Sequence, residues 1–339
     1  MRYVFGVLGI AALSILLSVG CGGGQVFPCT EQGIRDAIAH GGGTHTFECD
    51  GPTTVVTAAQ IEIDNDVILD GEGNLTVDGN GRHRVFRVAE GITAELRGFT
   101  VTKGFSAQGG GGGIYIHKGR SLTLTNSTVS GNSSAYGGGG IDNYGGVLDR
   151  AGRLTLTNST VSGNTTSRSG GGIANQGTLT LTNSTVSGNA AAGINGGGGI
   201  WNFNEGTLTL TNSTVSGNSS AYGGGGIDTV GKVTLTNTLV VNNDCSGYMP
   251  SASGGGNIES PGNTCRLQQE TDQVNVSADD LKLGPLQDNG GPTMTHALNP
   301  GSFAIDQIPA VDCEVTEDQR GLPRPGGTMC DVGAFEVQP

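Results

Sequence analysis

Aromatic side chains make up only 5% of this 339-residue chain and charged ones 14%, a poor supply for an ordinary globular core or a highly charged surface. Tryptophan occurs once and methionine four times, so the interior has to be assembled from small aliphatic residues. Bases are scarce too, 17 against 30 acids. The resulting formal charge of −13 excludes nucleic acid and an anionic membrane surface as partners, because both need a basic patch. No CxxC or HxxxH spacing occurs among the cysteines and histidines, so no zinc site is indicated. Glycine is what the chain has in excess, at 63 positions, and it comes in clusters rather than at every third residue, which excludes collagen.

Residues 1–20 read as an export signal. Arg2 supplies the charge, Val4 to Leu17 the apolar stretch, and Ser18-Val19-Gly20 a small-residue exit. A signal-anchor helix is the alternative, but about 14 apolar residues fall short of the roughly 20 that a membrane span needs. Leu17-Ser18-Val19-Gly20-Cys21 resembles a bacterial lipobox, which implies lipidation of Cys21, residues 21–28 as a flexible tether, and contact with a membrane only through that lipid. Setting Cys21 aside leaves six cysteines in three local pairs, Cys29 with Cys49, Cys245 with Cys265 and Cys313 with Cys330. All lie outside the repeats described next, where small irregular caps gain most from cross-links.

An internal repeat dominates the rest. Leu122-Thr-Leu-Thr-Asn-Ser-Thr-Val-Ser-Gly-Asn132 recurs from Leu154, Leu179 and Leu208 and, worn, from Val233. It alternates with a glycine run ending in Ile114, Ile141, Ile173, Ile200 or Ile227. Within a copy the apolar period is two, with Leu122 and Leu124 on one side and Thr123 and Thr125 on the other, which is the strand signal. Asn126, Asn158, Asn183, Asn212 and Asn237 then break the strand, since asparagine tolerates the left-handed conformation of a sharp corner, and their side chains are expected to stack as a hydrogen-bonded ladder.

Val129 marks a second strand and the isoleucine block a third, giving a triangular coil. Stacked coils form parallel sheets with inward columns of leucine, valine and isoleucine. Each inward side chain contributes roughly 1.5 to 3 kcal/mol when buried, and no coil can bury its own face alone. The fold class is therefore all-β, a single-stranded right-handed parallel β-helix, expected over residues 55–243. Residues 29–54 read as an N-terminal cap containing a helix from Thr30 to His40. Residues 244–339 read as a separate C-terminal segment. The longest variable connection carries Asp149, Arg150 and Arg153 and is a candidate binding loop.

Two family resemblances follow. The alternation of Val129-Ser-Gly-Asn132 with Gly138-Gly-Gly-Ile141 resembles the short paired motifs of polymorphic outer-membrane proteins. In the tail, Asp288-Asn-Gly-Gly-Pro-Thr-Met-Thr-His-Ala-Leu298, Asp318-Gln-Arg-Gly-Leu-Pro-Arg324 and Cys330-Asp-Val-Gly-Ala-Phe-Glu336 are similar to the bacterial choice-of-anchor Q domain. These resemblances imply a pectin-lyase-like fold and an exported bacterial protein, either a surface or outer-membrane lipoprotein or an extracellular one. The sequence ends three residues after Glu336, short of any C-terminal anchor, which agrees with an N-terminal lipid.

Three functions fit. The first is a non-catalytic adhesive, binding or surface-structural rod whose partner is a cell-surface glycan or the surface of a host or neighbouring cell, with no cofactor. The second is a polysaccharide lyase or glycoside hydrolase. It requires clustered acids, yet only Asp142 and Asp228 follow Gly-Ile in their coils and the matching positions hold Tyr115, Ala174 and Trp201, so no catalytic or metal-binding residue is assigned. The third is ice binding by a flat grid of outward threonines, Thr123, Thr155, Thr180 and Thr209 beside Thr125, Thr157, Thr182 and Thr211.

Overall fold

The computed structural model describes residues 24–145, 151–193, 196–247 and 251–339. Cys21, residues 1–20 that read as an export signal, and Asp149 and Arg150 of the candidate loop lie outside the described residues.

The coils stack as the repeat predicts. Strand Ser121–Thr125 pairs in parallel with Arg153–Thr157, followed in turn by Thr178–Thr182, Thr207–Thr211 and Lys232–Thr236, leucine over leucine without a slip until Val233 follows Leu208 in the last pair. Thr128–Ser130 and its successors carry the valine column, and Ile114–Ile116 through Ile227–Thr229 carry the isoleucines. Leu122, Leu154, Leu179 and Leu208 are all fully buried. A fourth, two-residue strand after each Gly-Asn pair, as in Ser133–Ser134 and Thr165–Thr166, forms an additional five-stranded sheet that the triangular expectation omits. The isoleucine strands form an eight-stranded sheet, and the leucine and valine strands join through the long strands Val67–Asp78 and Thr93–Thr102.

The corner asparagines do adopt left-handed backbone, with φ between 46° and 51° at Asn126, Asn158, Asn183, Asn212 and Asn237. Gly98 takes the same corner one coil earlier at φ 60°, and a Cβ there would sit 2.5 Å from the Gly73 nitrogen, so glycine is required. The side-chain ladder, however, does not run through these five residues. Their amides are directed elsewhere: Asn183 Nδ2 donates to the Glu317 carbonyl at 2.8 Å and Asn237 Nδ2 to that of Asp312 at 2.9 Å, both in the C-terminal segment.

The continuous ladder is instead Asn132, Asn164, Asn189, Asn218 and Asn243, each amide donating to the next carbonyl oxygen at 3.0, 2.9, 2.9 and 3.2 Å. A second ladder joins Asn143 to Asn175 and Asn175 to Asn202, both at 2.7 Å. Serines of the Asn-Ser-Thr triplets supply a third. The backbone N–H of Ser127 donates to Ser159 Oγ at 3.1 Å, and that of Ser159 to Ser184 Oγ at 3.2 Å.

At the N-terminal end helix Glu31–His40 has Thr30 as its cap, its hydroxyl accepting from the Gly33 nitrogen, and it buries Ile34, Ala37 and Ile38 against the first coil. Residues 24–28 are not a tether: Val26–Pro28 is a strand paired in parallel with Thr46–Glu48, which extends the stack by one more strand. Disulfides join Cys29–Cys49, Cys245–Cys265 and Cys313–Cys330, with Cα separations of 5.1, 4.9 and 5.9 Å.

The C-terminal segment does more than close the last coil, because it folds back along the valine wall. Thr160 Oγ1 donates to the Met294 carbonyl at 2.7 Å, and Thr185 Oγ1 to Gln319 Oε1 at 2.6 Å. His296 Nε2 meets Ser187 Oγ at 2.8 Å. Leu239 and Val241, which stand where earlier coils have threonine and serine, pack with Leu281, Leu298, Ile308 and Val332 in a second apolar cluster.

Candidate functional site

The middle residue of each three-residue isoleucine strand points outward, since its two neighbours are committed to the core. Strand pairing brings Arg87, Tyr115, Asp142, Ala174, Trp201 and Asp228 into one column up the eight-stranded sheet. Read copy by copy, this position shows no repeated residue type, so no cluster is expected there. Read up the column, an aromatic ring is followed one strand on by a carboxylate twice, Tyr115 by Asp142 and Trp201 by Asp228, with Ala174 between the two pairs.

Rings from the adjoining corner extend two of these positions into platforms. Tyr144 stacks beside Tyr115, with centroids 6.2 Å apart and planes 27° from parallel. Phe203 stacks on Trp201 at 3.8 Å and 8°. Together with Tyr136 and Gln108 they line a cleft of about 610 Å³. The guanidinium of Arg168 lies 4.8 Å over the Tyr136 ring at its rim.

The glycine runs keep the cleft open. A Cβ on Gly110 would fall 1.9 Å from Asp142 Oδ2 and 2.5 Å from the Gly137 carbonyl oxygen, so no larger residue fits against that carboxyl.

Asp142 is 9% exposed, and no hydrogen bond to its carboxyl is found among the described residues. Burial raises its pKa from 3.8 to about 7, and the nearby positive charge of Arg84 opposes the rise. Arg84 itself is held by the fold. It donates to the carbonyls of Gly111 at 2.8 Å and Gly110 at 2.7 Å, to Gln60 Oε1 at 2.8 Å and to Ser106 Oγ at 3.1 Å, and it lies 4.8 Å over the Tyr115 ring. Burial, and then the Asp142 charge, push the Tyr115 hydroxyl upward. Asp228 differs from Asp142, because its Oδ2 accepts from the Gly196 nitrogen at 2.8 Å.

Asp142 and Asp228 are three strands apart in the column, about 14 Å at roughly 4.8 Å per strand. The two-carboxylate arrangement of glycoside hydrolases needs roughly 5 to 9.5 Å. Glu62, which is ion-paired with Arg87, stands three strands from Asp142 on the other side.

The remaining expected site residues lie apart from the cleft. Thr123, Thr155, Thr180 and Thr209 stand in register beside Thr125, Thr157, Thr182 and Thr211 on the leucine sheet, half-buried, and Thr125 Oγ1 donates to Glu95 Oε1 at 2.8 Å. Arg153 opens strand Arg153–Thr157, its N–H donating to the Arg120 carbonyl at 2.6 Å, so it belongs to the sheet rather than to a protruding loop.

The family profile described as "Right handed beta helix region" matches residues 65–245. Among solved structures the chain is similar to the crystal structure of pectate lyase Pel9A, with a TM-score of 0.53 and 14% sequence identity over 93% of this chain and 96% of that one. A comparison with curated proteins finds no match.

Proposed function

Because the chain belongs to the right-handed β-helix family, we propose that it is an exported, surface-held protein that binds a polysaccharide along the outer face of its isoleucine sheet. The observation that carries this reading is the pair of ring platforms, Tyr115 with Tyr144 and Trp201 with Phe203, set in register in one cleft. Flat aromatic surfaces take the apolar faces of sugar rings, while a few polar groups between them fix orientation. Export and anchoring enter the proposal through the signal-like residues 1–20, the lipobox-like Cys21 and the choice-of-anchor Q-like motifs of the tail. A glycan array probed with the purified full-length protein tests it: retention of one polysaccharide class, lost on Trp201→Ala, is expected, and uniform blanks would sink it.

A second reading is supported by one specific observation. Asp142 combines burial in the cleft with a pKa of about 7, suited to moving a proton near neutral pH. On this reading the protein cleaves the chain it binds, as a lyase on the same scaffold. Release of unsaturated sugars, followed by ultraviolet absorbance across a panel of polysaccharides, separates it from simple binding.

A further inference from the structure

We propose that the cleft selects an uncharged polysaccharide over an acidic one, placing one sugar ring on each coil, with Asp142 reading the ring next to the Tyr115 platform. This rests on the assignment of the cleft to a glycan and names which glycans it takes.

Spacing is the first ground. Tyr115, Asp142, Ala174 and Trp201 are consecutive in the column, so they recur every ~4.8 Å, close to the advance of an extended pyranose chain per residue. A chain lying along the column meets a ring platform at its first and fourth sugars, a carboxyl at the second, and a bare Ala174 at the third.

Charge is the second ground. Both ionisable floor residues of the column above Tyr115 are acids, Asp142 and Asp228. Among the described residues the cations beside the floor are committed, Arg84 to four protein acceptors and Arg87 to Glu62, while Arg168 stands off the floor at the rim, over the Tyr136 ring. A uronate on the second or third coil would set its carboxylate against the buried Asp142 carboxyl, a pair that is tolerated only with Asp142 protonated, and among the described residues no uncommitted cation stands on the floor beside it.

Hydrogen-bonding capacity is the third. The Asp142 carboxyl, nine-tenths buried and aimed into the cleft, accepts no hydrogen bond among the described residues. A sugar hydroxyl can both donate and accept, so it can satisfy this carboxyl whether ionised or neutral.

Calorimetric titration of the full-length protein with cellohexaose, xylohexaose, mannohexaose and hexagalacturonate tests the proposal. At least one uncharged hexasaccharide is expected to bind roughly tenfold or more tightly than hexagalacturonate. Asp142→Asn, which keeps the polar contact, should hold that affinity within about threefold, and Asp142→Leu should lose roughly tenfold. Trp201→Ala, with its melting temperature checked, should lose a similar factor.

Equal or tighter binding of hexagalacturonate, abolished by Trp201→Ala, overturns the selectivity and leaves the glycan cleft standing. Unchanged affinity in Asp142→Leu overturns the role of Asp142. Failure of every hexasaccharide to bind, or binding indifferent to Trp201→Ala, overturns both the selectivity and the glycan assignment.

Discussion

The Trp201 and Phe203 rings lie 3.8 Å apart and 8° from parallel, two coils from Asp142 along the same outward column. Neither ring is needed to close the core, because Ile200 and Asn202 on either side of Trp201 are fully buried and Asn202 completes an amide ladder. Trp201→Ala should therefore lower glycan affinity by roughly tenfold. It should cost only about 1 to 2 kcal/mol in chemical denaturation. A large stability loss with unchanged affinity would reverse that assignment of roles.

The Asp142 carboxyl should make the protein more stable on the acid side. Its folded-state value of about 7 lies above the ordinary 3.8, so the folded chain binds this proton more readily than the unfolded chain. Stability consequently falls as pH rises from about 4 through about 7, by up to about 4 kcal/mol for this group alone. Asp142→Asn removes the titration. Denaturation midpoints at about pH 5 and about pH 8 should differ less in the variant than in the parent protein, and an unchanged difference would locate the effect elsewhere.

Two asparagines in neighbouring coils should respond in opposite ways. Asn189 bonds to Val161 and Asn218 and accepts from Asn164, so Asn189→Ala breaks a buried ladder and should cost about 2 to 4 kcal/mol. Asn212 sits at a left-handed corner with φ 46°, and neither of its amide atoms has a hydrogen-bond partner among the described residues. Asn212→Gly, which retains that backbone and removes the unsatisfied amide, should stay within about 1 kcal/mol of the parent. Equal losses in urea titrations would mean that the corner amides matter after all.

The tail motifs converge on two buried ion pairs, Arg324 with Glu336 and Arg320 with Asp318. Arg324 and Glu336, 0% and 1% exposed, approach to 3.3 Å, and Glu336 also accepts from the Gly326 and Asp331 nitrogens at 2.7 and 2.9 Å. Burial pushes the Glu336 carboxyl upward and Arg324 opposes it. Asp318 binds Arg320 at 2.7 Å, and the Arg320 guanidinium lies 3.6 Å over Phe335. Arg324→Met leaves the carboxylate without its cation and should destabilise by about 3 to 5 kcal/mol, detaching the tail from the valine wall first. Proteolysis confined to the tail in this variant is the expected readout, and resistance equal to the parent would contradict it.

Much of the rod was legible from the repeat. Period-two leucines, a corner asparagine and a glycine-bounded isoleucine specify inward columns, because a strand slipped by one residue would turn every leucine outward. The capping helix and the three cystines were equally local. The ladder was misplaced since two asparagine columns, at 126 and at 132, repeat with the same period, and period alone does not distinguish a side chain aimed along the stack from one aimed at the tail. The tail's return path did leave a trace: Leu239 and Val241 replace the threonine and serine that stand at these outward positions one coil earlier.

By itself, then, the sequence determined a stacked parallel coil with an aliphatic interior, because those demands are local and recur every 25 to 32 residues. Only the tertiary structure decided what the outer wall presents. Tyr115, Asp142, Ala174, Trp201 and Asp228 each follow the glycine-isoleucine block but share no chemistry, and they make one cleft only because each coil lifts the chain by one strand spacing and the corner rings of Tyr144 and Phe203 fold beside them. The burial that raises the Asp142 carboxyl to about 7 comes in part from Gly110, one coil away, against the opposing charge of Arg84, two coils away, and no local pattern connects either residue to it.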